Sequence, residues 1–334
     1  MADPILKTSS PQALQHFERT AASLASRQAR GTATAGNVPP WPGSADADFH
    51  GTLAAIWIWA RHQNLSGDTR FTPHRDAGWA FVEGVWRAFV PEAVGPDVSD
   101  EAAFDCALVL RAALGEALLG DVAERRAQLA AAAARVLAAY LGELTELSGR
   151  DFQDPGFLAW NLIEYARAFE DRGLLAAGRR FVERAFGMKA PPVFATEPEV
   201  PGALFDFSST TATRVLAIVA SEGNTPFVGA WLRERVAGAI PPGFVKRGRD
   251  ETCWNGCVAA LLGRAYVIAT ETRFLDAYRA IRAELERRNG NGRQASAPGT
   301  GEVDTLTAFY SSLAADALVR DVAAGAIRAQ NVLR

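Results

Sequence analysis

The stretch from Asp250 to Tyr266, DETCWNGCVAALLGRAY, predicts the fold of this chain. An acidic pair and a Trp-Asn step lead into an Ala- and Leu-rich run that is long enough for an α-helix. Five other stretches begin with polar or acidic residues and continue with small and apolar ones: FHGTLAAIWIWA from Phe49, AFDCALVLRAAL from Ala103, FLAWNLIEYARA from Phe157, SSTTATRVLAIV from Ser208 and VDTLTAFYSSLA from Val303. They recur about every fifty residues, which indicates a repeat architecture.

A second, amphipathic stretch follows each of the first five. After Phe49–His62, for example, an apolar stripe at helical spacing contains Trp79, Val82 and Trp86. Apolar helices surrounded by amphipathic ones are what a double ring requires, because the outer helices cover the inner ones with one face and meet water with the other. Almost no segment alternates with period two, so we expect an all-α protein with few or no strands.

Six helical hairpins whose first helices all start at one rim resemble the (α/α)6 toroid. Six-hairpin glycosidases, polysaccharide lyases, sugar epimerases, terpenoid cyclases and protein prenyltransferases share this architecture. LSGDTRF (65–71) and ATETRFLDAYRA (269–280) resemble the hairpin turn common in six-hairpin sugar enzymes. The resemblance implies one toroid domain over residues 45–320, preceded by an N-terminal helix and ordered loop (1–44) and followed by a tail (321–334). Trp41, in that loop, is expected to be a packing anchor.

Composition excludes several classes of function. The formal net charge of −3 gives no general attraction for nucleic acid or an anionic membrane. No apolar run reaches the length of about 18 residues needed to span a bilayer, and the N-terminus does not resemble a signal peptide. Three cysteines do not make a disulfide framework, so we expect a cytoplasmic protein. No Gly-rich phosphate loop is present, so no nucleotide cofactor is expected.

Polar residues at the starts of the inner helices are expected to gather at one mouth of the toroid. Glycoside hydrolysis needs two carboxyl groups across the scissile bond, and Glu251 with Asp304 is the first predicted pair, followed by Asp206. Such residues also serve as N-caps. Glu164 lies one turn inside its helix, so it must pair with an arginine or have a raised pKa. The predicted substrate contacts are His50, Trp57, Trp160, Asn161, Trp254, Asn255 and Tyr310.

Other chemistries stay open. A lyase would use Tyr310 or His50 as the base and Asn161 or Arg214 to neutralise a uronate. DFSSTTATRVLAIV (206–219) resembles the surroundings of the acid motif of class II terpene cyclases, but it holds one aspartate where that motif carries several. A non-catalytic helical-repeat scaffold that binds a partner is a further alternative, and the oligomeric state stays undetermined.

No metal site is predicted. A protein prenyltransferase would need Asp, Cys and His ligands for zinc, and all four histidines precede residue 75. Cys253 and Cys257 fall on one helix face and are interpreted as small buried hydrophobic residues. The predicted ligand is therefore a small molecule or an oligosaccharide, bound without a cofactor.

Overall fold

The computed structural model describes residues 4–31, 34–89, 98–120, 122–144, 155–186, 188–189, 193–194, 209–222, 226–239, 251–288 and 305–319. Within these ranges twelve α-helices and one short antiparallel strand pair are present. The helices are α1 (Pro4–Arg27), α2 (Phe49–Ser66), α3 (Thr72–Phe89), α4 (Asp100–Ala117), α5 (Glu124–Glu143), α6 (Pro155–Ala168), α7 (Arg172–Phe186), α8 (Ser209–Glu222), α9 (Pro226–Trp231), α10 (Glu251–Ala269), α11 (Thr272–Arg288) and α12 (Thr305–Asp316). Strands β1 (Met188–Lys189) and β2 (Val193–Phe194) have two residues each, so the all-α prediction is confirmed.

The even-numbered helices form a closed inner ring. Each of α2, α4, α6, α8, α10 and α12 packs against the next, and α12 packs against α2. Helices α3, α5, α7 and α11 lie outside the inner helices that precede them, whereas α9 packs against α10, the inner helix that follows it. Helix α1 takes the outer position between α12 and α2, where His16 Nε2 lies 3.0 Å from Ser312 Oγ and Trp59 Nε1 donates to Ala21 O at 3.1 Å. The predicted (α/α)6 toroid is confirmed, and its closure is incompatible with an open solenoid.

Burial explains which helices lie inside. Every residue of α2 from Gly51 to His62 is buried, as expected for a helix enclosed by protein on all sides. Outer helix α7 instead buries Phe181 and Val182 on one face and exposes Arg179 and Arg180 on the other. The same contrast was visible in the sequence, because the inner stretches are continuously apolar.

The turn after an inner helix repeats a backbone conformation. Gly67, Gly120, Glu170 and Thr270 follow α2, α4, α6 and α10, and they have φ values of 73°, 87°, 56° and 54°. A left-handed residue at this position lets its N–H bond back to the last turn of the helix, as Thr270 N does to Tyr266 O at 2.8 Å. The recurrence supports the hairpin as the structural repeat.

One outer helix differs from the prediction. The sequence predicts a continuous helix over 225–239, whereas α9 is followed by a π-helical turn (Leu232–Val236) and a 3-10 turn (Ala237–Ala239). Leu232 and Val236 are buried, while Arg233 is exposed and its Nη1 donates to Ala269 O at the end of α10. The irregular turn thus still covers the inner ring.

Candidate functional site

The starts of the inner helices meet at one end of the toroid, called here the N-terminal rim. A methyl group on Gly156, the second residue of α6, would lie 2.5 Å from the backbone nitrogen of Arg214 in α8. One on Gly256, in the second turn of α10, would lie 2.9 Å from the backbone of Tyr310 in α12. Neighbouring inner helices therefore run side by side from their first turns. The positive ends of their helix dipoles share this rim.

His50 and Asp105 form a charged pair at the N-terminal rim. His50 Nε2 lies 2.6 Å from Asp105 Oδ1, and the two side chains are 22% and 23% exposed. Burial by itself would lower the pKa of the His50 imidazole, but Asp105, helped by the charges of Asp48 and Glu101, outweighs burial and raises that pKa. Asp48 also caps α2, because its carboxylate accepts from Gly51 N–H at 2.8 Å. The imidazole thus keeps its positive charge to a higher pH than a free histidine does.

This raised pKa predicts a pH-dependent contribution to stability. The contribution is fully present below the ordinary histidine pKa of about 6.5, and it is lost as pH rises through the higher pKa of the folded protein. We expect Asp105→Asn to lower the melting temperature more at acidic than at alkaline pH. In an NMR titration it should lower the pKa of His50 and leave that of His74 unchanged. An equal loss of stability at both pH values would contradict the assignment.

A layer of aromatic side chains crosses the ring axis below the rim. Phe157 of α6 lies 5.6 Å from Phe104 of α4, and 6.5 Å and 6.1 Å from Phe309 and Tyr310 of α12, measured between ring centroids. Trp57 packs edge-on against Phe309 at 5.4 Å. Helices α6 and α12 stand opposite each other in the ring, so Phe157 spans its axis. These five side chains, the aromatic layer, form a floor beneath the N-terminal rim.

A buried polar network lies on the other side of the aromatic layer. Arg111 donates through Nε to Asn161 Oδ1 and through Nη1 to Glu164 Oε2, both at 2.7 Å. Its guanidinium also stacks 4.4 Å above the Trp160 ring, and Asn161 Nδ2 donates to Phe157 O. Of the two alternatives predicted for Glu164, pairing with an arginine is the one observed. Asn161 is fully buried and Trp160 is 6% exposed, so in this conformation both contact protein groups.

A small cavity adjoins this network towards the C-terminal ends of the inner helices. Its volume is about 60 Å³, and its charged lining consists of Arg111, Glu164, Arg264 and Asp316. Arg61, fully buried, donates from Nε to Asp316 Oδ1 at 2.6 Å. Ligand pockets usually measure about 300 Å³ or more, so this cavity fits only a few waters.

The structure places the other predicted site residues as follows. Glu251 and Trp254 lie in the first turn of α10, and their side chains lie outside the described part of the structure. Asp206 and Asp304 lie outside the described residues altogether. Asn255 is fully buried. Trp57, in the aromatic layer, is 2% exposed, whereas Tyr310 is partly exposed.

Sequence reasoning did not single out Arg111 or Asp316, although each belongs to an ion pair in which the arginine is buried. A signal for Arg111 was available, because an arginine inside the apolar run ALVLRAAL needs a buried partner. Trp41 was interpreted wrongly. Its side chain is 39% exposed, the one exposed large hydrophobic side chain among the described residues, so it is not a packing anchor.

Some chemistries find no support in the described residues. Within those ranges no group of three or more His, Cys, Asp or Glu side chains is placed to hold a metal ion. Cys106 and Cys257 are buried free thiols, and burial followed by the charge of Asp105 raises the pKa of Cys106. The Cys253 side chain lies outside the described part. No described helix is both long and apolar enough to cross a membrane.

Comparison with known proteins identifies the architecture. No protein-family model matches the chain, and no curated protein matches its sequence. One solved structure is similar to this chain, with a TM-score of 0.61 and 12% sequence identity. The similar region covers 91% of this chain and 98% of the solved chain. It is an inactive variant of the alpha-1,6-mannanase GH76A of Salegentibacter sp. HEL1_6, in complex with alpha-1,6-mannotriose. At this identity the likeness shows the fold alone, and the chain shares the (α/α)6 toroid fold with that structure.

Proposed function

We propose that this chain is a glycoside hydrolase that binds an oligosaccharide at the N-terminal rim. The observation that carries the proposal is the combination found there: the polar and acidic residues His50 and Asp105 stand beside the aromatic layer, which reaches across the ring from α6 to α12. Aromatic faces pack against the apolar faces of sugar rings, while carboxyl groups supply the chemistry of bond cleavage. The fold likeness to the mannanase also supports this activity.

Glu251 and Asp304 are the proposed catalytic pair, with Asp206 as the next candidate. One carboxylic acid would protonate the leaving oxygen, while the other would act as nucleophile or activate water. Glu251 is the first residue of α10, and Asp304 immediately precedes α12. These helices are neighbours in the ring, and the close approach of Gly256 to Tyr310 begins one turn later. We infer that the two carboxyl groups would lie at comparable depth, because each belongs to the start of one of two neighbouring helices.

The similar mannanase gives a second line of support. Its inactive variant carries asparagine at two consecutive aspartate positions. This chain has consecutive acidic residues at two inner-helix starts, Asp100–Glu101 and Asp250–Glu251. Asp100 Oδ1 accepts from the Tyr140 hydroxyl of outer helix α5 at 2.6 Å, so Asp100 is engaged away from the axis. Of the two consecutive acidic pairs, we therefore favour Asp250–Glu251 as the one that supplies a catalytic residue.

The proposed substrate contacts divide into two groups. His50 and Tyr310 have exposed surface at the rim, and Trp254 belongs to the first turn of α10. A protonated His50 would donate a hydrogen bond to a sugar hydroxyl or stabilise a nearby carboxylate. The other four, Trp57, Trp160, Asn161 and Asn255, are buried and would act from beneath, by supporting the residues that contact the sugar.

A thermal-shift panel tests the proposal. The purified chain is heated with neutral oligosaccharides, including alpha-1,6-mannotriose, with uronate oligosaccharides, and with prenyl diphosphates plus magnesium. A ligand at 100 times its Kd adds about 2.7 kcal/mol to the free energy of unfolding, which raises the melting temperature measurably. We expect a shift with a neutral oligosaccharide. A shift with uronates alone would favour a lyase, and a shift with prenyl diphosphates alone would favour a cyclase. If no ligand shifts the melting temperature, the result would favour a binding scaffold.

A further inference from the structure

We propose that Trp41 is a stacking platform for a sugar ring at the entrance of the N-terminal rim. The proposal rests on the proposed function and adds a substrate-binding residue to it. An exposed tryptophan presents a large flat apolar surface that binds the apolar face of a sugar ring at small conformational cost. Three features support this role: the loop is fixed at both ends, its turn is pre-formed, and it adjoins the rim.

The loop that carries Trp41 is fixed by the buried Asn37. This side chain is 1% exposed; its Nδ2 donates to Asp46 O at 3.0 Å, and its Oδ1 accepts from Asp48 N at 2.7 Å. Val38 is fully buried, and its N–H donates to Thr52 Oγ1 of α2 at 2.9 Å. A single buried amide thus joins the beginning and the end of the loop. The exposed tryptophan therefore belongs to an ordered segment.

The turn after Trp41 is pre-formed by its sequence. Ser44 N donates to Trp41 O at 3.2 Å, with Pro42 and Gly43 between them, and Gly43 has a φ of 86°. Proline at the second position and a glycine with positive φ at the third are the requirements of a type II β-turn. Ser44 Oγ also donates to Asp46 Oδ2 at 2.9 Å. Little further ordering is therefore needed when a ligand stacks on Trp41.

The loop also adjoins the rim. Thr305, the first residue of α12, donates from its backbone N–H to Pro40 O at 3.1 Å and from Oγ1 to Pro39 O at 3.0 Å. Thr305 in turn packs beside Gly51 of α2, which follows His50 in the chain. Trp41 is therefore held next to the starts of α2 and α12. The latter follows Asp304, one of the proposed catalytic residues.

Calorimetric titration of Trp41 variants tests the platform. The probe is alpha-1,6-mannotriose, together with any neutral oligosaccharide that stabilises the wild type. We expect Trp41→Ala to raise Kd about tenfold, which corresponds to the upper range for an aromatic stacking contact, and Trp41→Phe to raise it about twofold. The melting temperature without ligand should stay close to that of the wild type, because the side chain is exposed.

Ala45→Ser is the matched control, because it alters an exposed position of the same loop, keeps the backbone turn and the Ser44 hydroxyl, and leaves Trp41 in place. We expect it to bind like the wild type. An unchanged Kd in Trp41→Ala, or an equal loss in Trp41→Ala and Ala45→Ser, overturns the platform while leaving the proposed function intact. If the wild type binds none of the oligosaccharides, the proposed function fails and the platform fails with it.

Discussion

Glu251→Gln and Asp304→Asn are each expected to abolish hydrolysis while leaving the fold intact. An amide cannot donate the proton or act as the nucleophile that glycosidic cleavage requires, so turnover should fall about a thousandfold or more. Both residues stand at the start of an inner helix, where a neutral amide still accepts hydrogen bonds from free backbone N–H groups. We therefore expect melting temperatures within about 2 °C of the wild type.

The measurement is the initial rate of reducing-sugar release from the oligosaccharide that stabilises the wild type. Asp100→Asn is the matched control, because Asp100 also begins an inner helix in a consecutive acidic pair but bonds Tyr140 on the outer ring. It should retain most of the activity. A fall of several degrees in both Glu251→Gln and Asp304→Asn, with activity kept, would show that these residues are structural caps. Loss of activity in Asp100→Asn instead would transfer the catalytic role to the other acidic pair.

The largest expected effect on stability comes from Gly156→Ala. A Cβ at this position would lie 2.5 Å from Arg214 N, 2.7 Å from Thr213 C and 2.9 Å from Arg214 Cα. All three are backbone atoms of α8, so no side-chain rotation can relieve the clash. The two inner helices would have to separate at the rim, and we expect the free energy of unfolding to fall by about 3 kcal/mol. Urea denaturation followed by circular dichroism measures this change.

Gly84→Ala is the control for that substitution. Gly84 lies within α3, is exposed, and has nothing within 4 Å of a built Cβ. Alanine has the higher helix propensity, so this variant should be more stable than the wild type by about 0.5–1 kcal/mol. If Gly156→Ala also left stability unchanged or raised it, α6 and α8 would not be in the close contact that shapes the rim.

Much of the fold could be predicted from periodicity. The inner helices are apolar around their whole circumference, and this pattern, repeated about every fifty residues, requires a second layer of helices to cover them. The predicted inner stretch Phe49–His62, for example, begins at the same residue as α2 (Phe49–Ser66) and ends one turn before it. The segment 225–239 was the exception. The apolar residues of this segment keep a helical spacing through the π-helical turn. The sequence pattern therefore does not reveal the change in register.

The candidate site was predictable in kind but less so in detail. Polar groups at repeat starts must converge when inner helices run parallel, and His50 and Asp105 do so. The partners of Arg111 were not predictable, because Asn161 and Glu164 lie about fifty residues away, on the next inner helix. The exposure of Trp41 was not predictable from the sequence either. It depends on the hydrogen bonds that fix the loop to Asn37 and Thr305, and these join segments far apart in the chain.

By itself the sequence determined that this protein is all-α and that apolar inner helices alternate with amphipathic outer ones, and it predicts acidic and aromatic residues at the starts of the inner set. These are local properties, since helix formation and amphipathicity depend on residues within a few turns of one another. Tertiary structure alone decided that the ring closes through α12 and α2, that Phe157 spans the axis, and that Arg111 is neutralised beneath it. Those features depend on contacts between helices distant in sequence, where the side chains that meet are set by the packing of the whole ring.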